Sequence, residues 1–277
     1  MNKANIDPVL QERPIGIFDS GVGGLTVAAE IMKKLPGENI VYFGDVGRYP
    51  YGGRSKDTII QFTRQDVNFL LEHRVKYIIA ACNSASAVAL ETIQGEFETE
   101  IMGVIEPGAK TAVSSTRNRR IGIIGTIATI SSDSYARAIQ KRDKEIKVFS
   151  LACPLFVPLA EEGYIEKEAS LLIARDYLKT LIDVDIDTLV LGCTHYPLLK
   201  GIIGRVMGEK VRLIDSAESA ALELAARLSL NNLLRPTIEG VEHKFYVSDV
   251  PDKFTQIAER FLGRRINNIT RVDITRY

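Results

Sequence analysis

Short apolar segments of four to six residues alternate along this chain with longer segments in which apolar residues recur at helical spacing. This alternation is typical of βαβ units, in which a helix carries the chain back over the sheet and successive strands pair in parallel. The pattern therefore predicts an α/β fold. The predicted strands are Ile15–Phe18, Ile40–Phe43, Tyr77–Ala81, Ile101–Val104, Ile121–Ile124, Ile146–Phe149, Thr188–Leu191, Val211–Ile214 and His243–Val247.

Helices are predicted between these strands. Ser55 is a residue type that accepts hydrogen bonds at a helix N-terminus, and Asp57 would lie in the first turn of the helix that follows. The segments 44–54 and 152–163 are predicted loops. The predicted helices are Leu25–Lys34, Ser55–His73, one after Cys82, Ser131–Lys141, Glu166–Ile182, one after Cys193, Ala217–Leu230 and Pro251–Leu262.

The order of strands and helices occurs twice. Ile121 lies 106 residues after Ile15, and Cys193 lies 111 residues after Cys82, so matching positions keep nearly the same offset. This duplication predicts two pseudo-symmetric parallel-sheet domains with an active site in the cleft between them. The segment after residue 216 has no counterpart in the repeat, and we expect it to pack back on the first half. The predicted domains are residues 1–105 with 216–277, and residues 106–215.

The composition excludes several classes of protein. Thirty-five Lys plus Arg balance thirty-five Asp plus Glu among 277 residues, so nucleic acid is not an expected partner. The first fourteen residues contain no apolar run of signal-peptide length, and no later segment is apolar enough for a membrane span. Three widely separated cysteines do not form a disulfide framework. We expect a cytoplasmic protein with free thiols and no membrane contact.

Two cysteines follow strands at equivalent places in the two halves, and polar residues come directly after each of them. Ligands of parallel sheets bind beyond the carboxyl ends of the strands, so Cys82 and Cys193 are expected to face one cleft. A helix N-terminus favours the thiolate, and either position is expected to hold one near neutral pH. Buried cysteines are often only small core residues, and we keep that reading for Cys153. Two facing thiols suit an enzyme that removes a proton from one side of a carbon and returns one from the other.

Asp19, His195 and the pair Glu161-Glu162 each allow two interpretations. Asp19 after the first strand is either the N-cap of the following helix or a carboxylate that assists a thiol. His195 is either an ordinary hydrogen-bonded side chain or a proton relay for Cys193. Of Glu161 and Glu162, one faces the cleft or both lie in a solvated turn. The residues alone leave these alternatives open.

The sequence offers no cofactor site. The glycine-rich turn at 21–26 lacks the third glycine of a dinucleotide fingerprint, because Thr26 stands in its place. No phosphate-binding loop of the G-x-x-x-x-G-K-[ST] form occurs, and the three histidines, at 73, 195 and 243, lack metal-ligand spacing. Pyridoxal phosphate would require a lysine within the strand-end motifs, and none occurs there. We predict chemistry by side chains, with neither cofactor nor metal.

At these motifs the chain resembles the glutamate racemase family, the cofactor-independent enzymes that supply D-glutamate for bacterial peptidoglycan. The resemblance covers nearly the whole chain and leaves out the segment before Pro14. The motifs that carry it are IGIFDSGVGGLTV at 15–27, YFGDVGRYPYG at 42–52, ACNSASA at 81–87, GVIEPGA at 103–109, CPLFVPLAEEG at 153–163 and LGCTHYPLL at 191–199.

The resemblance implies a role for each matching residue. Cys82 and Cys193 would be the two proton donors and acceptors, with Asp19, His195 and Glu161 as auxiliary acid/base groups. The family usually has threonine where Ser84 stands, and the hydroxyl is retained. The family fold implies two similar α/β domains, and a homodimer is expected. The implied glutamate-binding residues are Asp19, Ser20, Tyr51, Gly52, Asn83, Ser84, Thr194 and His195.

The sequence therefore predicts racemisation of glutamate, in which one thiolate removes the α-proton and the opposite thiol protonates the planar intermediate. A close alternative is a racemase of aspartate or another small amino acid, since the paired thiols are shared across the wider group. The matches at Tyr51-Gly52 and Thr194-His195 favour glutamate. A rival of another class is a non-catalytic protein that closes on an amino acid, but such a protein has no need of paired cysteines. The sequence gives no positive sign of a macromolecular partner.

Overall fold

A computed structural model of the chain describes residues 8–250 and 254–277. Strands and helices alternate through both halves, as predicted. The strands are β1 (Ile15–Asp19), β2 (Ile40–Gly44), β3 (Tyr77–Ala80), β4 (Ile101–Gly103), β5 (Arg120–Gly125), β6 (Lys147–Ala152), β7 (Thr188–Gly192), β8 (Arg212–Asp215), β9 (His243–Val247) and β10 (Ile269–Arg271).

The helices lie on the faces of the sheets. None of them, in the two described ranges, is both long enough and apolar enough to cross a membrane. The helices are α1 (Pro8–Glu12), α2 (Leu25–Lys34), α3 (Lys56–Glu72), α4 (Asn83–Val88), α5 (Leu90–Ile93), α6 (Ile105–Ser115), α7 (Ile127–Ser131), α8 (Ser134–Arg142), α9 (Phe156–Glu161), α10 (Glu168–Asp183), α11 (Lys200–Met207), α12 (Ser216–Leu230) and α13 (Phe254–Leu262).

In the described part of the chain the strands form two parallel sheets. One has the order β10-β9-β2-β1-β3-β4 and the other the order β6-β5-β7-β8. The order β2-β1-β3-β4 in the first sheet is the same as β6-β5-β7-β8 in the second, so the predicted duplication and the predicted fold class are confirmed. Strands β1, β3 and β7 are buried along their whole length, because helices cover both faces of a parallel sheet.

The segment after residue 216 adds to the first sheet. Strand β9 pairs in parallel with β2, from Ile40 opposite His243 to Gly44 opposite Val247, and β10 extends the sheet beyond β9. Helix α12 packs against both α2 and α6, and α13 packs against α2. The start of the predicted helix Pro251–Leu262 lies outside the described residues. The domain limits at 105/106 and 215/216 stay a prediction.

Most helix predictions agree with the structure, and Ser55 caps α3 by accepting a hydrogen bond from the Thr58 amide at 3.4 Å. The predicted loop 152–163 is wrong, because it contains α9. Pro158 lies in the first turn of that helix, where an amide hydrogen has no intrahelical partner and proline is tolerated. The helix predicted after Cys193 is present as α11. A 3-10 turn at Tyr196–Leu199 comes first, with Pro197 in it, and α11 begins only at Lys200.

Candidate active site

The carboxyl ends of strands from both sheets open into one cavity of about 400 Å³. Both Cys82, after β3, and Cys193, after β7, line it. The strands are fully buried and parallel, so their ends meet at one edge of each sheet, and the two edges face each other. A cavity of this size accepts a small amino acid.

The thiol of Cys82 lies at the start of α4. Its Sγ accepts a hydrogen bond from the Ala85 amide at 3.5 Å and donates to the Ser20 hydroxyl at 3.5 Å. Burial, and after it the carboxylate of Asp19, raise the pKa of Cys82 to about 12. The expectation of a thiolate here is wrong for the free protein, because the loss of hydration outweighs the helix N-terminus.

Asp19 is fully buried next to this thiol but is not on the cavity wall. Its Oδ2 accepts a hydrogen bond from the Gly21 amide at 3.0 Å, and Oδ1 has no partner among the described residues. Burial raises the pKa of Asp19, although His195 opposes the rise. Helix α2 begins after Gly24 with no side-chain cap, so the N-cap reading of Asp19 is wrong. Asp19 instead stabilises the glycine-rich turn through its hydrogen bond with the Gly21 amide.

The thiol of Cys193 has a different set of neighbours. Its Sγ lies 3.9 Å from Nδ1 of His195, and Nε2 of the same ring lies 2.9 Å from Oε1 of Glu161. Burial lowers the pKa of His195, but hydrogen bonds and charge from Cys193 and Glu161 outweigh it and raise the pKa to about 10. The three side chains therefore lie in a row of contacts with a cationic imidazole at its centre.

The question of which glutamate faces the cleft is answered by α9. Glu161 is the last residue of that helix and lines the cavity, whereas Glu162 follows the helix and is exposed. Cys153 is fully buried in the core, and burial raises the pKa of its thiol to about 12. The reading of Cys153 as a core residue is confirmed.

Asn83 and Ser84 line the cavity from the first turn of α4. Oδ1 of Asn83 accepts a hydrogen bond from the Tyr135 hydroxyl at 2.8 Å, while the buried Nδ2 has no partner in the described ranges. That amide is a donor free for a ligand carboxylate. The Ser84 hydroxyl lies 2.9 Å from that of Thr126, which follows β5, so this pair joins the two halves.

Tyr51 and Gly52 form the part of the wall that follows β2. The Tyr51 hydroxyl oxygen lies 2.5 Å from Oδ2 of Asp45 and 2.9 Å from Oδ2 of Asp66, so two carboxyl groups of its own half already engage it. A Cβ on Gly52 would lie 2.8 Å from Cβ of Thr126 in the other half. Glycine therefore permits the close approach of the two halves at this point.

The glycine-rich turn after β1 holds the loop of Cys193 instead of a dinucleotide. A Cβ on Gly23 would lie 2.3 Å from the hydroxyl oxygen of Thr194. The Thr26 hydroxyl lies 3.0 Å from the Thr194 carbonyl and 2.9 Å from that of Gly23, to which it can donate. Ser20, Thr194 and His195, which the sequence suggests as substrate-binding residues, all line the cavity beside this contact.

Several cavity residues were not predicted as site residues. Tyr49 stacks on His195 with ring centroids 6.1 Å apart, and burial followed by Glu161 raises the pKa of its hydroxyl. Its place beside Tyr51 in the motif at 42–52 was the available signal. Thr126 follows a strand end in the same way as Ser20, so the strand-end rule applied evenly would have found it. The others have no polar side chain and carry no signal of their own: Pro50, Gly53, Ile127, Pro154, Val157 and Pro158.

In the part of the chain that the structure describes, no three His, Cys, Asp or Glu side chains form a group that could hold a metal ion. The polar groups of the cavity are thiols, hydroxyls, an amide, an imidazole and a carboxylate. These groups suit binding of ammonium and carboxylate together with proton transfer at the atom between them.

Comparisons with known proteins agree over nearly the whole chain. Residues 40–224 match the family described as Asp/Glu/Hydantoin racemase. The glutamate racemase of Geobacter metallireducens is 50% identical over 262 residues, which cover 95% of this chain and 97% of that protein. The glutamate racemase of Neisseria meningitidis serogroup B is 50% identical over 265 residues, covering 95% and 98%.

The backbone gives the same result. A crystal structure of glutamate racemase from Francisella tularensis, in complex with D-glutamate, superposes with a TM-score of 0.91 at 40% sequence identity. The superposition covers 96% of this chain and 100% of that one. Both halves of the molecule, and the cleft between them, therefore lie within the similarity.

Proposed function

The chain belongs to the glutamate racemase family, and from that premise we propose that it interconverts L-glutamate and D-glutamate with no cofactor. One observation carries the proposal: the thiols of Cys82 and Cys193 come from equivalent strand ends of two domains and line a single cavity. A carbon held between them has one sulfur on each side. That arrangement suits removal of a proton from one face and delivery of another to the opposite face.

In the proposed reaction a thiolate takes the proton from Cα, and the electron pair of the C–H bond stays on the substrate as a planar carbanion. The thiol on the other side then gives its proton to the opposite face of Cα, and its sulfur becomes the thiolate. Reaction in the reverse direction uses the same two groups in exchanged roles. Charge and atoms balance with no oxidant, reductant or metal.

The protonation state of the free protein suits one of the two directions of racemisation. Cys82 is a thiol because burial keeps its pKa at about 12. Cys193 lies beside the His195 ring, whose raised pKa of about 10 keeps it cationic at neutral pH. We assign Cys193 as the first proton acceptor and Cys82 as the first donor. The enantiomer that needs the opposite assignment must bind after the proton has been redistributed.

Binding of the substrate is assigned to the polar groups around the thiols. The unpartnered Nδ2 of Asn83 would donate to a carboxylate, and the hydroxyls of Ser84 and Thr194 lie at the same wall. A proton α to a carboxylate is far less acidic than a thiol, so donors that strengthen their bonds as the carbanion forms are required. Cofactor-free catalysis depends on these groups alone.

The test is incubation of purified protein with L-glutamate and no added cofactor, followed by circular dichroism or chiral chromatography. We expect the L-glutamate signal to decay to that of the equal mixture, and in heavy water the D-glutamate formed should carry deuterium at Cα. An unchanged enantiomer with no deuterium at Cα would exclude the proposed function.

The same assay separates the rivals. Faster racemisation of aspartate than of glutamate would identify an aspartate racemase. Glutamate binding measured by calorimetry, together with no exchange of the α-proton, would identify a binding protein instead.

We also propose that the protein acts as a homodimer in the cytoplasm and supplies D-glutamate for peptidoglycan. The family resemblance supports all three statements. Sedimentation at several protein concentrations tests the dimer. Deletion of the gene should make growth depend on added D-glutamate, and growth without it would remove the proposed role in the cell wall.

A further inference from the structure

The C-terminal helix α13 contacts the Cys193 side of the active site through two adjacent residues. Nη1 of Arg260 donates to the carbonyl of Glu161 at 2.6 Å and lies 3.5 Å from that of Ala160. The buried ring of Phe261 packs edge-on against His195, with centroids 5.0 Å apart and an angle of 74°. Neither residue lines the cavity, so any effect on the reaction passes through the residues that they hold.

Arg260 fixes the end of α9. The last carbonyls of a helix lack intrahelical partners and carry the negative end of its dipole, so a guanidinium is well suited to them. Gly163, just beyond the helix, has φ of +72°, and a Cβ on it would lie 2.9 Å from Cζ of Arg260. The chain thus turns away at Gly163 and leaves room for the guanidinium.

The side chain that this end of α9 presents to the cleft is that of Glu161, which lies 2.9 Å from Nε2 of His195. The direction of its carboxylate depends on the main chain that Arg260 holds. The His195 ring is stacked on Tyr49 and meets the edge of Phe261. Helix α13 therefore holds both members of the Glu161–His195 pair, and it does so from the helices that cover the first sheet.

We propose that Arg260 and Phe261 are positioning residues for the Glu161–His195 pair, and through it for proton transfer at Cys193; this inference rests on the proposed racemase function. The geometry gives them different parts. Arg260 sets the position of the carboxylate, and Phe261 restricts the rotation of the imidazole. A misplaced Glu161–His195 pair would lose its hydrogen bond while the thiols and the cavity stay as they are.

The state of His195 supplies the readout. Its ring is faced by Cys193 on its own loop, Glu161 of α9, Tyr49 after β2 and Asp19 at the end of β1. Removal of a nearby guanidinium charge would, by itself, raise the pKa of an imidazole. Loss of the Glu161 hydrogen bond would lower it. The sign of the change therefore separates lost positioning from lost charge.

The experiment compares wild type with Arg260→Gln, Arg260→Lys and Arg264→Gln in the full chain. We expect Arg260→Gln to lower kcat/KM about tenfold and to move the alkaline limb of its pH profile to lower pH. NMR of the three histidine rings should show His195 titrating below the wild-type pKa of about 10. Arg260→Lys retains the cation and should keep most of the activity. Arg264 is exposed and its guanidinium lies 3.0 Å from the sulfur of Met32 in α2, so Arg264→Gln should behave as wild type.

Each result decides between the two proposals. A wild-type protein that exchanges no α-proton removes the proposed function and this inference with it. An active wild type with an Arg260→Gln variant whose His195 pKa is unchanged or higher overturns only the inference. If Arg260→Gln fails to fold by circular dichroism, Phe261→Leu carries the same test, since it leaves every charge in place and should also lower the pKa of His195.

Discussion

The two thiols occupy matching positions in the duplicated fold but have unlike surroundings. Cys82 lies at the first turn of a helix, beside a hydroxyl and a buried carboxylate, and burial keeps it protonated. Cys193 lies beside a cationic imidazole that is itself held by Glu161. The duplicated strand order places each thiol at an equivalent strand end, whereas the titratable neighbours of the two thiols come from different parts of the chain.

The difference begins in the residues that end the strands. Asp19 ends β1, and the matching residue 106 positions later, at the end of β5, is Gly125. The second half thus lacks this carboxylate and receives one from α9 instead. After β3 a helix begins at once, but after β7 the turn containing Pro197 delays α11. That delay leaves Thr194 and His195 free to lie in the cleft.

This asymmetry does not make the two thiols unequal in importance. Enantiomers have the same free energy in water, so any change must affect kcat/KM equally in both directions. In the proposed mechanism each turnover needs one sulfur as proton acceptor and the other as proton donor. The surroundings of the thiols instead set which of the two is protonated in the free protein. That protonation state is expected to make kcat and KM differ between L-glutamate and D-glutamate.

The largest effect is expected from the thiols themselves. Cys82→Ser and Cys193→Ser should each lower racemisation by at least about a thousandfold in both directions, because a hydroxyl is too weakly acidic to replace a thiol. Chiral chromatography from either enantiomer measures it. Cys153→Ala is the matched control, since this thiol is in the core, and it should stay active. A serine variant with wild-type activity would show that the replaced thiol takes no part in proton transfer, and the comparison of the two thiols would no longer hold.

A smaller effect is expected from Glu161→Gln, which alters the contacts of His195 beside Cys193 and leaves those of Cys82 in place. Loss of the carboxylate removes a group that raises the pKa of His195, so the alkaline limb should move below the wild-type value of about 10. We expect kcat/KM near neutral pH to fall about tenfold to a hundredfold. The pH profile of kcat/KM measures both quantities.

Glu162→Gln is the neighbouring control, because that side chain is exposed and should leave the profile unchanged. An unshifted alkaline limb in Glu161→Gln would show that the imidazole does not depend on this carboxylate. The difference between the two thiol environments would then have another origin.

The sequence predicted the parts of this arrangement that follow from local patterns. Apolar runs such as Thr188–Leu191 marked the buried strands, and the polar residues after them marked the site, because parallel strands present their carboxyl ends at one edge. Matching positions in the two halves keep nearly the same offset, 106 residues for Ile15 and Ile121 and 111 for Cys82 and Cys193, and this predicted two sheets with the same strand order. The motif resemblance added Glu161, which no spacing argument separates from Glu162.

The parts that could not be predicted depend on contacts distant in sequence. The pKa of Cys82 rises through burial, which only the packed structure defines, so the sequence indicated the opposite direction. Pro158 argues against a helix at α9 in the sequence, so the pairing of Glu161 with His195 was not predicted. Arg260 is one of many charged residues in an amphipathic helix, and its contact with Glu161, 99 positions earlier, leaves no local signal.

The smallest expected effect concerns the pKa of Cys82 and the part that Asp19 has in raising it. Asp19→Asn keeps an oxygen that can accept the Gly21 hydrogen bond but removes the charge that, after burial, raises the pKa of Cys82. Since burial is the larger cause, the thiol should titrate only about one pH unit lower and stay above its ordinary range. Alkylation by iodoacetamide at a series of pH values, with the modified cysteine identified by mass spectrometry, measures the shift.

The pH profile for alkylation of Cys193 in the same samples serves as the internal control for Asp19→Asn. An equal shift at both thiols would mean that Asp19 acts on the cleft as a whole. A shift at Cys82 alone would place the carboxylate on one side only, as the fully buried position of Asp19 next to that thiol indicates. The two halves would then differ in the way the structure describes, with Asp19 next to Cys82 in one half and Glu161 against His195 in the other.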